Sequence, residues 1–361
     1  MKRFIAGMAA ALLAAVLVFP FKAEAVSAQR AIVMDAQTGR VMYEKRSDER
    51  ALIASTTKIM TALVICEQCN VLDRVRIPEE AVGIEGSSMY LQKGEILTVQ
   101  ELLYGLMLHS GNDAAVALAI YCAGTVEGFA QLMNDKAHRL GLTGTHFENP
   151  NGLDSPNHYS TASDMATLAA YAMENPIFSK IVSTKSVKIG DRYLTNHNKL
   201  LWRLEGADGV KTGFTKAAGR ILVSSAMRSG RRLVAVTMNA PDDWNDHTSL
   251  LSNGFLRYQQ KQIVFQGDVL GTVEVAGGEA GAVELVASED FVYPLAEDEE
   301  VSVVIPLPGF VYAPVVNGQD AGVAYICVGD DTVGKVSVKY GNTVEQLQEK
   351  EKNFWQKLFG D

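Results

Sequence analysis

The sequence predicts an α+β protein with an all-β module behind it, and three observations carry that reading. The chain has 361 residues, more than most single cores hold, so two domains are expected. Strand formers cluster at both ends of a region from about residue 29 to 260, with apolar helices between them. Past about residue 262 the texture shifts to short alternating strands with glycine-rich turns.

The chain opens with "MKRFIAGMAAALLAAVLVFPFKAEA", a basic start, an apolar run and the small-x-small site Ala23-Glu24-Ala25. This pattern is a secretory signal peptide over residues 1–25. Val26-Ser27-Ala28 offers a second cleavage site. Removal takes away three basic side chains and one acidic one, moving the formal charge from −9 to −11. Such a charge argues against nucleic acid as a partner, because phosphate binding needs a basic face. No second run of about 18 apolar residues follows, so no spanning helix is expected in the mature chain.

"RAIVMDAQTGRVMYEK" reads as two strands around a turn at Ala36-Gln37-Thr38-Gly39. An apolar helix is expected from about Ser55 to Cys69, and another over Val99–His109 that halts at Ser110-Gly111-Asn112. "DAAVALAIYCA" starts a further helix, with Asp113 in its first turn. Residues 143–160 read as loop; Ser163 and Asp164 open a helix to about Met173. From 207, "GVKTGFT", "RILVSSAMR" and "RRLVAVTMN" are strands, the last two flanking the turn Ser229-Gly230. The first strands must rejoin these in one antiparallel sheet, and a helix near 243–259 closes the domain, placed at 26–260. The small β domain is placed at 262–340. The tail, 341–361, has a helical pattern with Val344, Leu347, Phe354, Trp355, Leu358 and Phe359 mostly on one side. That fits a helix lying on a membrane surface, although Glu345, Glu349 and Glu351 weaken its attraction to anionic lipid.

Four cysteines are present; Cys66 and Cys69 form a lone CxxC with no second pair or histidines to complete a zinc set. The six histidines are scattered, so no metal or cofactor is implied.

Three short motifs carry chemistry. Ser55 and Lys58 are spaced i, i+3 and share a helix face. A serine hydroxyl needs a base, and a lysine can be one if burial disfavours its ammonium form. The apolar run after Lys58 supplies burial, and the helix start supplies N–H donors for an oxyanion. Ser110-Gly111-Asn112 lies in the break between two apolar helices, where both side chains can reach one site. Lys211-Thr212-Gly213 starts the strand region; Gly213 lets a ligand backbone approach, and Lys211 supplies charge for a carboxylate. Strict alternation would send the Lys211 and Thr212 side chains to opposite faces.

In the order S-x-x-K, S-x-N, K-T-G these motifs resemble those of penicillin-binding proteins and class A β-lactamases. With the flanks "ASTTKIMTAL", "GSSMYL", "SGNDAA", "NPNGLD", "HYSTASDMA", "NHNKLLW" and "DGVKTGFT", residues 29–260 resemble low-molecular-mass penicillin-binding proteins of the D-alanyl-D-alanine carboxypeptidase type. The resemblance implies a β-lactamase/transpeptidase-like catalytic domain. It implies that Ser55 attacks the penultimate D-alanine carbonyl of a peptidoglycan stem peptide and that Lys58 takes its proton. Ser110 would relay a proton to the leaving D-alanine, and Asn112 would hold the substrate amide. Lys211 and Thr212 would hold Ser110 and the terminal carboxylate. The N–H groups of Ser55 and Phe214 would form the oxyanion hole, and Arg232 would bind the carboxylate. β-Lactams would acylate Ser55. The resemblance also implies an extracytoplasmic enzyme, peripheral on the outer face of the cytoplasmic membrane. His197 stands where some relatives have arginine, and "KAAGR" after K-T-G-F-T departs from the usual polar and aromatic positions. Two other outcomes share the motifs: a β-lactamase, which needs a loop glutamate such as Glu148, and a peptidoglycan endopeptidase. A non-catalytic sensor on the same scaffold is a third.

Overall fold

The computed structural model describes residues 26–348. Residues 1–25, expected to be a signal peptide, and the tail beyond Gln348 that carries Phe354 to Phe359, lie outside them. The strand β1 (Arg30–Asp35) turns back into β2 (Val41–Lys45), as the alternation predicts. A single 3-10 turn at Ala54–Thr57 leads into α1 (Lys58–Gln68). The short pair β3 (Arg74–Arg76) and β4 (Ile96–Thr98) precedes α2 (Val99–Leu108), α3 (Asn112–Ala123) and α4 (Val126–Arg139). Then come α5 (Ala162–Glu174), α6 (Pro176–Ser183), the hairpin β5 (Ser186–Ile189) and β6 (Arg192–Thr195), and one turn of α7 (Leu200–Arg203). Three long strands follow, β7 (Ala207–Thr215), β8 (Gly219–Arg228) and β9 (Arg231–Met238), before α8 (Asp243–Arg257).

The N-terminal hairpin and the three long strands form one antiparallel sheet in the order β2-β1-β9-β8-β7. The N-terminal hairpin therefore does rejoin the late strands, with Ala31 opposite Thr237. Side chains alternate between two faces. Ile32, Met34, Ile221, Val223, Val234 and Val236 enter the main core with α1, α2, α3 and α5. Val33, Leu222, Leu233 and Ala235 face the other way, onto α7 and α8 through Leu200, Leu250 and Leu251. The result is a helix–sheet–helix sandwich in which α1 is the central helix: every residue from Lys58 to Ile65 is buried.

The helices α4, α6 and α7 and the strand pairs β3–β4 and β5–β6 add to the elements expected from the sequence. Thr125 caps α4 by accepting from the Gly128 N–H, and Phe129, Ala130, Met133 and Ala137 form its buried stripe. Asn175 caps α6, with Pro176 at the first helical position.

Behind α8, β10 (Gln259–Val264) begins three residues ahead of the expected boundary. It pairs with β13 (Phe291–Leu295). A six-stranded sheet combines β11 (Val269–Ala276), β12 (Ala282–Ala287), β14 (Val301–Val304), β15 (Phe310–Tyr312), β16 (Asp320–Val328) and β17 (Asp331–Tyr340). Residues 341–348 stay with this domain and are not helical. Val344 exchanges backbone hydrogen bonds with Val315 and lies in the small core with Val275 and Leu285. Its apolar side chain thus belongs to the β domain, not to an amphipathic helix. Arg40 ties the two domains: it bonds the Pro294 carbonyl at 2.5 Å, pairs with Glu299 and lies over the Tyr258 and Tyr293 rings. No helix among the described residues is long and apolar enough to cross a membrane.

Candidate active site

The site forms where the 3-10 turn, the α2–α3 break, the 149–152 loop and β7 converge. In the turn, Ser55 is the one residue not buried, so its hydroxyl faces a cleft of about 340 Å³. Ser87, Ser110, His197, Lys199, Thr212, Gly213 and Phe214 share this cleft with Arg220, Asp243 and Trp244.

Lys58 follows in the first turn of α1 and is completely buried. Its Nζ has three partners: Ser55 Oγ at 3.0 Å, Asn112 Oδ1 at 2.7 Å and the Asn151 carbonyl at 2.6 Å. The last two can only accept. A neutral amine satisfies all three by donating twice and taking the Ser55 hydroxyl proton on its lone pair. Burial holds the Lys58 ammonium well below its usual range, and the neighbouring Lys211 pushes the same way, against a smaller pull from Asp113. Lys211 is itself buried and lowered to about 7 by desolvation; its Nζ donates to the Thr212 carbonyl at 2.9 Å. Two adjacent buried ammonium groups repel, so the pair favours one neutral member.

Ser110 has φ +62° and Ala54, before the nucleophile, has φ +45°. Both are left-handed conformations unusual for such residues, and they flank the reacting groups. The Ala54 carbonyl accepts from Thr57 Oγ1 at 2.8 Å. His158 sits behind it: Glu148 N–H donates to Nδ1 at 3.1 Å, so Nε2 carries the proton and donates to Thr57 Oγ1 at 2.7 Å. Burial lowers His158 to about 4 and keeps it neutral. Gly152, at φ +86°, packs against the same carbonyl, where a Cβ would collide.

Asn112 is committed on both sides. Its Oδ1 accepts from Lys58 and its Nδ2 donates to the Glu85 carbonyl at 2.5 Å, while its N–H donates to Ser87 at 2.7 Å. Asp113 fixes the same loop by accepting from Ser88 Oγ and from the N–H groups of Met89 and Leu91. Gly213 also has a specific reason. A Cβ there would come within 3.2 Å of the Thr56 nitrogen and 3.3 Å of the Ile53 carbonyl, so any larger residue would push β7 and the nucleophile turn apart by a few tenths of an ångström. As the edge strand, β7 leaves one side unpaired beside the cleft. Alternation does part the two side chains of the motif: Lys211 is buried while Thr212 lines the cleft.

The structure therefore brings together Ser55, Lys58, Ser110, Asn112, Thr212, Gly213 and Phe214, with Lys211 beneath. Arg232 is elsewhere. On β9 it pairs with Met227, six residues along β8 from Ile221, the partner of Gly213. That is roughly 20 Å of strand. There it bonds Asp208 at 2.7 Å and the Met173 carbonyl at 3.1 Å. The reason is topological: Arg232 follows the β8–β9 hairpin turn, at the end of the sheet away from Gly213. The arginine on the cleft wall is Arg220, directly opposite Phe214 and paired to Asp243 by two contacts at 2.6 and 2.8 Å. Its Nε is buried with no hydrogen-bond partner among the described residues.

The chain is similar to known proteins along most of its length. A family model described as D-alanyl-D-alanine carboxypeptidase (peptidase S11) matches residues 18–242, and one described as the penicillin-binding protein 5 C-terminal domain matches 258–346. The chain is 35% identical to the D-alanyl-D-alanine carboxypeptidase DacF of Bacillus subtilis, over 82% of this chain and 80% of that protein. It is 36% identical to DacC of Escherichia coli, covering 73% and 72%. The solved penicillin-binding protein 5 of Haemophilus influenzae superposes with a TM-score of 0.75 at 31% identity, covering 89% of this chain and 98% of that one. With family models over both domains and a seryl–lysyl pair at the cleft, the chain belongs to the D-alanyl-D-alanine carboxypeptidases, a family of serine-type peptidases.

Proposed function

We propose that the protein removes the terminal D-alanine from peptidoglycan stem pentapeptides through an acyl-enzyme on Ser55, and so limits cross-linking. The observation that carries this reading is the coordination of Lys58 Nζ: two of its partners can only accept, so the lone pair of the neutral amine falls to the third, the Ser55 hydroxyl at 3.0 Å. Ser55 Oγ attacks the penultimate D-alanine carbonyl as its proton passes to Lys58. The oxyanion is met by the N–H groups of Ser55 and Phe214. Ser110, at the lip of the α2–α3 break, relays the proton to the leaving amine. Water then hydrolyses the ester.

The substrate carboxylate is read by Thr212 and Arg220, with the buried charge of Lys211 behind them. Arg220 replaces Arg232 in this role because it is the arginine that lines the cleft. A β-lactam presents a carbonyl and a carboxylate at similar spacing and acylates the same serine. The β-lactamase alternative is disfavoured: Glu148, its candidate water-activating group, is held by Ser155 and Asn157 and does not line the cleft.

The chain is read as exported, working outside the cytoplasmic membrane, with the segment beyond Gln348 touching the membrane surface. Deleting residues 349–361 should abolish co-sedimentation with vesicles; undiminished sedimentation refutes the anchor. For the chemistry, the purified protein should label with a fluorescent penicillin and release D-alanine from a pentapeptide. Ser55→Ala should do neither, and labelling of that variant at the parental level overturns the assignment.

A further inference from the structure

Residues 301–319 carry no charged side chain, and within them "VVIPLPGFVYAPVV" is apolar at nearly every position. Such a run is ordinarily core, yet Val304, Leu307, Phe310, Tyr312 and Val316 are all exposed, Tyr312 by 74%. Ile305, Val311 and Val315 turn inward and hold the run against the small core. Phe310 and Tyr312 share one face of β15, their rings edge to face at 5.1 Å. Strand register places this pair. Arg40 and Glu299 join the two domains, and the Gly329 N–H on the Glu300 carbonyl keeps the β16–β17 turn at that end. From there β17 runs from Asp331 to Tyr340, about 30 Å. Tyr340 stands opposite Leu285 on β12; Ala282, further out on β12, stands opposite Glu274 on β11. Glu274 and Ala276 in turn pair with Phe310 and Tyr312. The aromatic pair therefore lies at the end of the β domain away from the catalytic domain. The tail departs from the same end: Leu347, 57% exposed, donates its N–H to the Gly277 carbonyl, next to Ala276.

We propose that residues 307–316 form a membrane-contacting rim of the β domain, with Phe310 and Tyr312 seated at the headgroup–acyl boundary of a bilayer beside the departing tail. The inference rests on the exported reading for access to that surface. Pro306, Pro308 and Pro314 lack the N–H groups that an added protein strand would need, and β15 offers an edge of only 3 residues. A bilayer asks for no such ladder, and an amphipathic tyrosine ring suits its headgroup level. Glu274, Glu279 and Glu345 lie at this end of the domain, so burial of apolar surface, not attraction to anionic lipid, supplies the contact. The rim is too small to hold the protein alone; stable peripheral anchoring takes two signals, and the tail is the other. Two contacts also set the tilt of the β domain, which Arg40 passes on to the catalytic domain.

The probe is a phosphatidylcholine vesicle carrying a photoreactive acyl chain, mixed with the chain from Val26 onward. Peptide mapping after illumination should find lipid on residues 301–319 as well as on 349–361. The double substitution Phe310→Ser, Tyr312→Ser should lose the first adduct, keep the second and weaken vesicle binding by about tenfold, with little dependence on salt. Both side chains are exposed, so fluorescent-penicillin labelling of this variant should match the parent and certify its fold. Adducts confined to 349–361, or parental binding by the double variant, overturns the proposal and leaves the tail reading standing. Adducts confined to 301–319 keep the proposal and sink the tail as an anchor. A parent that self-associates without lipid, and a double variant that does not, assigns the rim to a second copy and overturns the membrane assignment.

Discussion

Replacing Asn112 with aspartate tests the protonation state on which the chemistry depends. Asn112 Oδ1 lies 2.7 Å from Lys58 Nζ in a fully buried setting. A carboxylate there favours the ammonium and raises the lysine pKa, the direction in which the more distant Asp113 already acts. At about 4 Å and an effective dielectric of about 20, two unit charges attract by about 4 kcal/mol, or roughly three pKa units. Measured effects of one opposite charge are about one to three units. On the plateau of the parent, acylation by penicillin should therefore slow by roughly 10- to 1000-fold. The ascending limb of its pH profile should move up by about the same one to three units, and raising the pH should restore much of the rate. The second carboxylate oxygen would face the Glu85 carbonyl, which Asn112 Nδ2 now serves, and loosen that loop at every pH. The diagnostic is thus the displaced limb. An equal loss across pH 6 to 10 with no upward displacement would refute a neutral Lys58 as the base.

Other outcomes follow from the same geometry. Gly213→Ala should displace the Ser55 turn and slow acylation by about 10- to 100-fold while destabilising the domain by about 1–3 kcal/mol, read by labelling kinetics and urea unfolding. Arg220→Lys keeps a charge beside the nearly buried Asp243 but loses the planar guanidinium and its further N–H donors; KM for a pentapeptide should rise at least tenfold with a smaller change in kcat. His247 is fully buried between Ser224 and Thr237 and lowered to about 3 by desolvation. The unfolded chain takes up this proton below about pH 6.5 and the folded one does not until about pH 3, so stability falls with pH through that window. Between pH 7 and 4.5 the contribution is about 2–3 kcal/mol, and His247→Gln should remove that part of the acid dependence in urea titrations.

Much of the site was legible because its chemistry is local in sequence. Ser55 and Lys58 are one turn apart, and the apolar run "IMTALVI" announces the burial that Lys58 undergoes. The three motifs converge because β7 must approach the 3-10 turn, for which Gly213 is the visible signal. Other contributions depend on register. Arg232 and Arg220 both follow strand motifs, and only the pairing of β8 with β7 and β9 decides which one reaches the cleft. Asn151 supplies a backbone carbonyl, which any residue could do, so its contact with Lys58 leaves no side-chain trace. α4 is amphipathic and capped, and its signal was present in Thr125 and the Phe129–Met133 spacing. Val344 has an apolar side chain that suits a helix face or a sheet core equally, and only the bridge to Val315 decides.

The position of β1 between β2 and β9 has a consequence for how the chain is made. Ala31 cannot find Thr237 until roughly 200 further residues have been delivered, and all the helices of the main core lie in that interval. Closure of this sheet is a high-contact-order event that local helix formation cannot complete. A chain synthesised N-terminus first must hold its opening hairpin unpaired on one edge until residues 231–238 emerge. The central sheet and the cleft beside it are then completed together, near the end of the catalytic domain's synthesis.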